Sequence, residues 1–215
     1  MTNGNPVSAP EGFNLPPRIE VDPRIYTDEL TGLKNRAWLA DHLPQIIQEG
    51  SGRIGLLMLD LDDFKQLNDT QGHEAGDIYL KRAGQVLDEK TRHDQEGRNG
   101  DSIRLSGDEF VVVLHDVNNE EGLQIVLGRV QLALDENGVG ASIGGVVHHG
   151  EKATEFLKRA DSAMYTAKRE RKVASKTPEQ WEAVEQIGDL ILKYEIDPRN
   201  LPILLEELEK RKRDS

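Results

Sequence analysis

The sequence contains no cysteine. Disulfide bonds, thiolate zinc sites and cysteine nucleophiles are therefore excluded, and any bound metal ion must be held by oxygen or histidine ligands. Hard cations such as Mg²⁺ are the class that oxygen-rich sites favour. The chemistry of the chain has to be sought first among its carboxylates, because Asp and Glu together number 39 against 27 Lys and Arg.

Long apolar runs and an excess of positive charge are missing as well. The longest apolar run, around residues 55–59, is far too short to cross a bilayer, and residues 1–10 lack the basic and then apolar regions of a signal peptide. A formal net charge of −12 argues against unspecific binding to nucleic acid or anionic membranes, although a nucleotide pocket can still be locally basic. We expect a cytoplasmic protein with no nucleic-acid or membrane partner.

Composition divides the chain into three parts. With 215 residues, 36% hydrophobic and 31% charged, it has room for one water-soluble globular domain with tails. Residues 1–25 are rich in proline, glycine and asparagine, which predicts a flexible arm. The domain is expected over 26–174. A helical extension is expected over 175–215, where Thr177, Pro178 and Gln180 form a helix start.

The order of hydrophobic periods predicts the fold class. The predicted elements are a helix over 30–46, a strand over 53–62, a helix over 74–90 after a polar loop, two strands within 102–114, a helix over 120–134, a strand over 139–147 and a helix over 152–171. This order is that of an α+β, ferredoxin-like or palm split βαβ fold. We expect an antiparallel-centred sheet covered by helices on one side, with extra C-terminal helices.

Acidic residues stand at two points that neighbouring strands would bring together. Asp60, Asp62 and Asp63 end the first core strand, and Asp108 and Glu109 follow the tight turn of the hairpin. Magnesium takes a few carboxylates together with water and substrate phosphates, and a pair of such ions stabilises in-line displacement at phosphorus. Either group alone would be read as an ordinary solvated strand end. Their conjunction makes phosphoryl chemistry plausible.

Five motifs carry a resemblance to a known family. SGDEF at 106–110, preceded by Arg104, resembles the R-x-GGDEF signature. The other matches, all in family order, are DELTGLKNR at 28–36, LDLDDFKQLNDTQGHEAGD at 59–77, SIGG at 142–145 and ADSAMYTAK at 160–168. From about Tyr26 to Lys172 the chain therefore resembles the GGDEF-domain diguanylate cyclases.

The resemblance implies a reaction and a metal site. Such an enzyme condenses two GTP molecules into cyclic di-GMP and two pyrophosphates at a homodimer interface, with two Mg²⁺ ions per active site and Mn²⁺ as a substitute. The implied metal ligands are Asp60, the Leu61 carbonyl, Asp108 and Glu109. Asp108 and Glu109 are the implied catalytic residues, with Asp108 as the acceptor of the proton from the 3′-hydroxyl.

The resemblance also implies residues that recognise guanine. Asp77 would accept from the N1 and N2 donors of guanine, while Asn68 can bond O6 or N3; adenine lacks the donor pair. A branch of the family that makes mixed cyclic dinucleotides carries serine at the position of Asp77, so aspartate favours GTP alone. His73 is expected to order the loop of this binding site, because no second histidine stands beside it at zinc-ligand spacing.

The implied phosphate site departs from the family pattern. Backbone N–H groups of Asp63 and Phe64 would bind the triphosphate, with cationic help from Lys65, Lys168 and Lys172. Lys172 replaces the customary arginine and Arg171 the customary glycine, so bidentate phosphate contact is weakened and the role of Arg171 stays open. Ser106 replaces the first glycine of the signature, and serine is larger and less tolerant of positive φ.

The sequence leaves alternatives open for product inhibition, for the C-terminal segment and for the function. The product-inhibition motif of the family corresponds to Arg98 and Asp101, one residue closer to the signature than usual, so cyclic di-GMP binding there is undecided. The apolar stripes beyond Thr177 would either supply the dimer contact or pack on their own domain. The rival functions are a weak or inactive domain that senses GTP or cyclic di-GMP, and a cyclase that makes a mixed dinucleotide.

Overall fold

A five-stranded mixed sheet forms the centre of the domain. The computed structural model describes residues 23–49, 53–91, 100–117 and 119–174. The strands are β1 (Lys34–Asn35), β2 (Ile54–Leu61), β3 (Gly100–Ser106), β4 (Glu109–His115) and β5 (Ala141–Val147). They lie in the order β1-β3-β4-β2-β5, with β1 and β3 parallel and every other pair antiparallel. This confirms the expected α+β class.

Helices cover both faces of the sheet. They are α1 (Arg36–Glu49), α2 (Phe64–Gln71), α3 (His73–Thr91), α4 (Glu120–Glu136) and α5 (Ala153–Ala174). One core cluster joins buried residues of the sheet to α3 and α4, and a second joins the other face to α1 and α5. The prediction of helices on one side only was wrong. The run IGLLMLDL indicated helices on both faces, because a strand that is buried on both faces has a continuously apolar sequence.

A glycine on β5 sets how closely α5 approaches the sheet. Gly144 pairs with Met58 across β5 and β2, and a Cβ added at Gly144 would lie 1.9 Å from the backbone nitrogen of Met164. Only glycine therefore allows the backbone of α5 to rest on the strand. One helical turn beyond Met164, this contact places Lys168 over the end of β2.

Two local predictions were also wrong. The helix predicted to carry Leu30 begins only at Arg36, because Asp28 caps the backbone N–H and hydroxyl of Thr31 and the chain then turns through Gly32 at φ 74°. The polar loop predicted after β2 is instead α2. That helix is only eight residues long and has two hydrophobic residues, Phe64 and Leu67, so its period is too short to be recognised in the sequence.

Several predictions lie outside the described residues. They concern most of the N-terminal arm, Arg98, and the helical extension from 175 onwards. In the portion of the chain that is described, none of the helices has the length and apolar character needed to cross a membrane.

Candidate active site

The sheet brings the two acidic segments together. Asp60 and Glu109 are direct partners across the antiparallel pair β2–β4, so their side chains point to the same face. The Leu61 backbone N–H donates to the Asp108 carbonyl over 3.1 Å, which holds the turn of the hairpin beside the end of β2. Asp60, Leu61, Asp108 and Glu109 therefore meet at one end of the sheet.

A lysine from α5 pairs with the aspartate of β2. The Lys168 ammonium lies 2.5 Å from Asp60 Oδ1, and the Asp60 side chain is only 13% exposed. Burial alone would lower the pKa of Lys168, but the hydrogen bond and charge of Asp60, with smaller attractions from Asp108 and Asp62, raise it above its ordinary value. Lys168 is therefore charged, and it serves as the cation that compensates this carboxylate.

A cavity of about 310 Å³ opens beside this ion pair. It is lined by Leu61, Asp62, Asp63, Phe64, Lys65, Asp108, Lys168, Arg171 and Lys172. Four of these side chains are cationic and three are carboxylates, so the wall offers positive charge for an anion next to acidic groups for a metal ion. The volume lies at the small end of the range for ligand pockets.

The turn between β2 and α2 presents backbone donors to this cavity. Asp63 adopts a left-handed conformation, with φ 54° and ψ 23°, and its side chain does not cap α2. The first N–H groups of any helix have no acceptor within the helix, and they point outward from its N-terminus. At α2 the first intrahelical bond is that of the Leu67 N–H, so the groups without a helical acceptor belong to residues 63–66, of which Asp63, Phe64 and Lys65 line the cavity.

The two proposed guanine-binding residues lie on neighbouring helices. Asn68 of α2 packs against Gly76 of α3, where an added Cβ would fall 2.0 Å from Asn68 Oδ1. That oxygen is buried and has no hydrogen-bond partner among the described residues. Asp77 follows Gly76 on the exposed surface of α3, and His73 is exposed at the start of the same helix.

The hairpin accommodates serine at the first signature position. The positive φ of 50° falls on Gly107, while Ser106 is exposed and its hydroxyl donates to Glu109 Oε2 over 3.3 Å. The Arg104 guanidinium donates to the Gly107 carbonyl over 2.9 and 3.0 Å and pairs with Asp28 at 3.1 Å. Burial would raise the pKa of Asp28, but hydrogen bonds from Thr31 and Arg104 lower it.

The donor set suits a hard cation without forming a closed cage. In the described parts of the chain, no three Asp, Glu or His residues stand together closely enough to hold a metal ion. Magnesium is commonly bound through one or two carboxylates plus substrate phosphates. The Asp60 carboxylate, beside the Leu61 backbone and the hairpin, is consistent with that type of site. A cationic ammonium already occupies the position against Asp60.

Asp101, the described half of the possible product-inhibition motif, is engaged within the protein. It forms an ion pair with Lys34 of β1, and its other oxygen lies 2.9 Å from His115 Nε2. Its partner in the motif, Arg98, lies outside the described residues. The structure thus accounts for Asp101 as a link between three strands.

Sequence reasoning missed one cluster at the site. Asp62 contacts Ser142 of β5 and Arg171 of α5, which are 80 and 109 positions away in the chain. Asp62 stood out only as one of three clustered acids, and nothing in the local sequence names its distant partners. The cluster could be found only once the strand order was known.

Comparison with known proteins identifies the family. The family model described as diguanylate cyclase, GGDEF domain, matches residues 25–173. The chain is 32% identical over 157 residues to diguanylate cyclase DgcS of Shewanella oneidensis, and 37% identical over 160 residues to diguanylate cyclase DgcP of Pseudomonas aeruginosa. These matches cover 69% and 68% of this chain, but only 51% and 23% of the relatives, so the chain spans about half of the first protein and a quarter of the second.

Solved structures agree with this comparison. The coiled coil and GGDEF domain of DgcB from Caulobacter crescentus, in complex with c-di-GMP, matches with a TM-score of 0.60 at 26% identity over 68% of this chain and 82% of that one. Diguanylate cyclase SiaD from Pseudomonas aeruginosa matches with a TM-score of 0.59 at 32% identity over 67% of this chain and 58% of that one. The chain therefore belongs to the GGDEF-domain diguanylate cyclase family.

Proposed function

We propose that this protein is a diguanylate cyclase that condenses two GTP molecules into cyclic di-GMP and two pyrophosphates. The observation that carries the proposal is the cavity lined by four cationic side chains and by Asp108, in which Lys168 is paired with Asp60 of β2. It combines donors for a triphosphate with carboxylates at the point where the reaction would occur. Relatives named as diguanylate cyclases support the same reading.

The chemistry is two in-line displacements at phosphorus. Each 3′-hydroxyl oxygen forms a bond to the α-phosphorus of the other GTP, and the bond to pyrophosphate breaks. Asp60, the Leu61 carbonyl, Asp108 and Glu109 would hold two Mg²⁺ ions, or Mn²⁺ in their place, which neutralise charge on the reacting phosphates. Asp108 is the proposed acceptor of the hydroxyl proton.

The triphosphate would be bound by groups already facing the cavity. The N-terminal N–H groups of α2 offer hydrogen bonds to phosphate oxygens, and Lys65, Lys168 and Lys172 offer positive charge. A fixed set of donors around the developing charge lowers the barrier, because the site does not have to reorganise during the reaction. Lys168 is suited to this role because it is held at the cavity by Asp60.

Recognition of guanine is proposed for Asn68 and Asp77. The side-chain amide of Asn68 would donate to O6 or N3 of guanine, and Asp77, which is exposed on α3, would accept from the N1 and N2 donors. Adenine has no equivalent pair of donors, so ATP should be excluded. His73, at the start of α3, would order the adjoining turn.

Product analysis tests the reaction directly. Purified protein is incubated with Mg²⁺ and GTP, with and without ATP, and the products are resolved by chromatography. We expect cyclic di-GMP and pyrophosphate in a ratio of 1:2 and no mixed dinucleotide, with Asp108→Ala as the inactive control. Tight binding of GTP or cyclic di-GMP without turnover would contradict the proposal and favour the sensor. A mixed product would instead favour a cyclase of different specificity.

The reaction needs two copies of the domain, each presenting one GTP. We propose a homodimer whose contact is supplied by residues 175–215, which lie beyond the described part of the chain and carry apolar residues at helical spacing. Truncation before Thr177 followed by sedimentation and activity measurements tests this contact. Unchanged association and activity would refute it. A cytoplasmic location is proposed as well, because GTP is available there.

A further inference from the structure

Arg171 links four elements at the wall of the cavity. From α5, its Nε lies 2.9 Å from Asp62 Oδ2 and its Nη1 donates to the Ala141 carbonyl of β5 over 2.8 Å. Its Nη2 lies 3.2 Å from Asp135 Oδ1, at the end of α4. A planar guanidinium can hold three acceptors at once in fixed directions, which lysine cannot do. Arg171 therefore connects α5 to the β2–α2 turn, to β5 and to α4.

Asp62 is the part of this network that reaches the nucleotide site. Its second carboxylate oxygen accepts from the Ser142 hydroxyl over 2.7 Å, and its backbone N–H donates to the Gly140 carbonyl over 2.9 Å. With Arg171, these bonds approach Asp62 from three directions. The following residue, Asp63, adopts the left-handed conformation, and the contacts of Asp62 fix the backbone that leads into it.

The charge of Arg171 is compensated by the two carboxylates that it contacts. Removing it would leave Asp62, which lines the cavity, without its ion-pair partner where a triphosphate is expected. The same change would release the contact that restrains the turn before Phe64 and Lys65. Both effects weaken the binding of an anion, although the guanidinium itself need not touch it.

We propose that Arg171 is a positioning residue for the triphosphate: through Asp62, it holds the β2–α2 turn so that the first N–H groups of α2 face the cavity. This inference rests on the proposed function, because it assumes that the cavity takes a nucleoside triphosphate. In the family motif matched by residues 160–168 and their continuation, the position of Arg171 is customarily glycine.

Affinity for a triphosphate that cannot react measures the effect without turnover. The probe is the α,β-methylene analogue of GTP, titrated calorimetrically with Mg²⁺ into the full-length protein and its variants. Arg171→Gly should raise the dissociation constant about tenfold, the size expected for loss of one charge-assisted contact. Arg171→Lys, which keeps the charge but not the three-way geometry, should fall between. Asp135→Ala, which removes only the outer contact, should stay within about twofold of the wild type.

A double-mutant cycle with Asp62 separates positioning from a general loss of structure. If Arg171 acts through Asp62, then adding Arg171→Gly to an Asp62→Asn background should weaken binding by less than about twofold. Equal weakening in both backgrounds, or equal weakening by Asp135→Ala and Arg171→Gly, would overturn the proposal. Thermal unfolding of each variant, measured in parallel, shows that the compared proteins are folded at the titration temperature.

The two levels of the proposal fail in different ways. Wild-type affinity in Arg171→Gly, in a protein that makes cyclic di-GMP, would overturn the positioning role alone. A wild type that binds the analogue and shows the predicted cycle, but makes no cyclic di-GMP, would contradict the proposed reaction and support the positioning role. Failure of the wild type to bind the analogue would overturn both.

Discussion

Two ion pairs of the same kind stand at opposite ends of the sheet and differ in their surroundings. At one end, Asp60 of β2 pairs with Lys168 of α5. At the other, Asp101 of β3 pairs with Lys34 of β1. In each, a partly buried strand aspartate is held by a lysine from a neighbouring element. Only their remaining neighbours distinguish a site for binding from a link between strands.

The Asp101 pair makes further contacts with protein groups, although its side chains are 36% (Lys34) and 22% (Asp101) exposed. The second oxygen of Asp101 contacts His115, and the Lys34 ammonium lies 3.9 Å from the ring centre of Trp38, which stacks on His42. Lys168, by contrast, faces a cavity together with Asp108. An ion pair beside a cavity can exchange one partner for a ligand. We therefore expect the Asp60 pair to take part in binding and the Asp101 pair to contribute to stability.

Replacing each lysine by methionine should show the largest difference in activity between the two ion pairs. Lys168→Met should lower the rate of cyclic di-GMP formation about a hundredfold or more, since it removes a donor from the developing charge. Lys34→Met should leave the rate within about twofold and lower the free energy of unfolding instead. The measurements are initial rates and denaturant unfolding of both variants. Similar rate losses in the two variants would show that the two ends do not differ as described.

Gly144→Ala should move α5 away from the sheet and so displace Lys168 at the Asp60 end. The added Cβ would lie 1.9 Å from the backbone nitrogen of Met164. Because the clash is with backbone, no side-chain movement can relieve it. We expect a loss of about 3 kcal/mol in the free energy of unfolding, as for severe overpacking. The matched control is Gly128→Ala on α4, where nothing lies within 4 Å of the new Cβ and a gain of about 0.5–1 kcal/mol is expected. Equal stability of the two variants in urea unfolding would contradict the described packing.

Asp101→Asn should show how the stabilisation by the Asp101–Lys34 ion pair depends on pH. Burial would raise the pKa of Asp101, but hydrogen bonds from His115 and Lys34 outweigh it and lower the pKa. The stabilisation is therefore present above the ordinary value of about 3.9 and is lost as pH falls through the lower, folded-state value. Near pH 7 the variant should be less stable by about 1 kcal/mol.

Unfolding curves collected from pH 7 downwards measure this difference between wild type and variant. The difference should shrink towards zero as the pH falls below about 4. A difference that grows below about pH 4 would have the wrong sign for an aspartate stabilised in its charged form.

The exposed pair between Arg53 and Asp116 should give the smallest effect. The two groups lie 3.3 Å apart, but their side chains are 57% and 64% exposed. Solvent and salt screen such a pair, so Arg53→Ala should change the free energy of unfolding by less than about 0.5 kcal/mol. A larger loss in chemical denaturation would show that exposure does not rank these ion pairs correctly.

Much of the Asp60 end of the sheet could be predicted from the sequence because the patterns that indicate it are local. Asp60 stands at the end of a continuous apolar run, and Asp108 follows a serine–glycine turn between two strands. Those patterns predicted β2 and the hairpin and brought the two acids to neighbouring strands. The resemblance of five motifs then supplied the family, which the comparison confirms.

The remaining features depend on long-range packing or weak periods. The two-residue strand β1 is too short to leave a pattern, and the eight-residue α2 has only two hydrophobic residues, Phe64 and Leu67. The contact of Arg171 with Asp62 joins residues that only the assembled sheet brings together. Similarly, the contacts of Asp101 with Lys34 and His115 could not be predicted, because those residues lie on other strands.

Hydrogen exchange of backbone amides tests most directly that nucleotide binds at the Asp60 end. Exchange is followed with and without the α,β-methylene analogue of GTP and Mg²⁺, in protein that has been shown to bind it. The account predicts slower exchange at residues 62–67, in the turn and first part of α2, and no change at residues 100–103. Slower exchange at the Asp101 end, with none between 62 and 67, would contradict it.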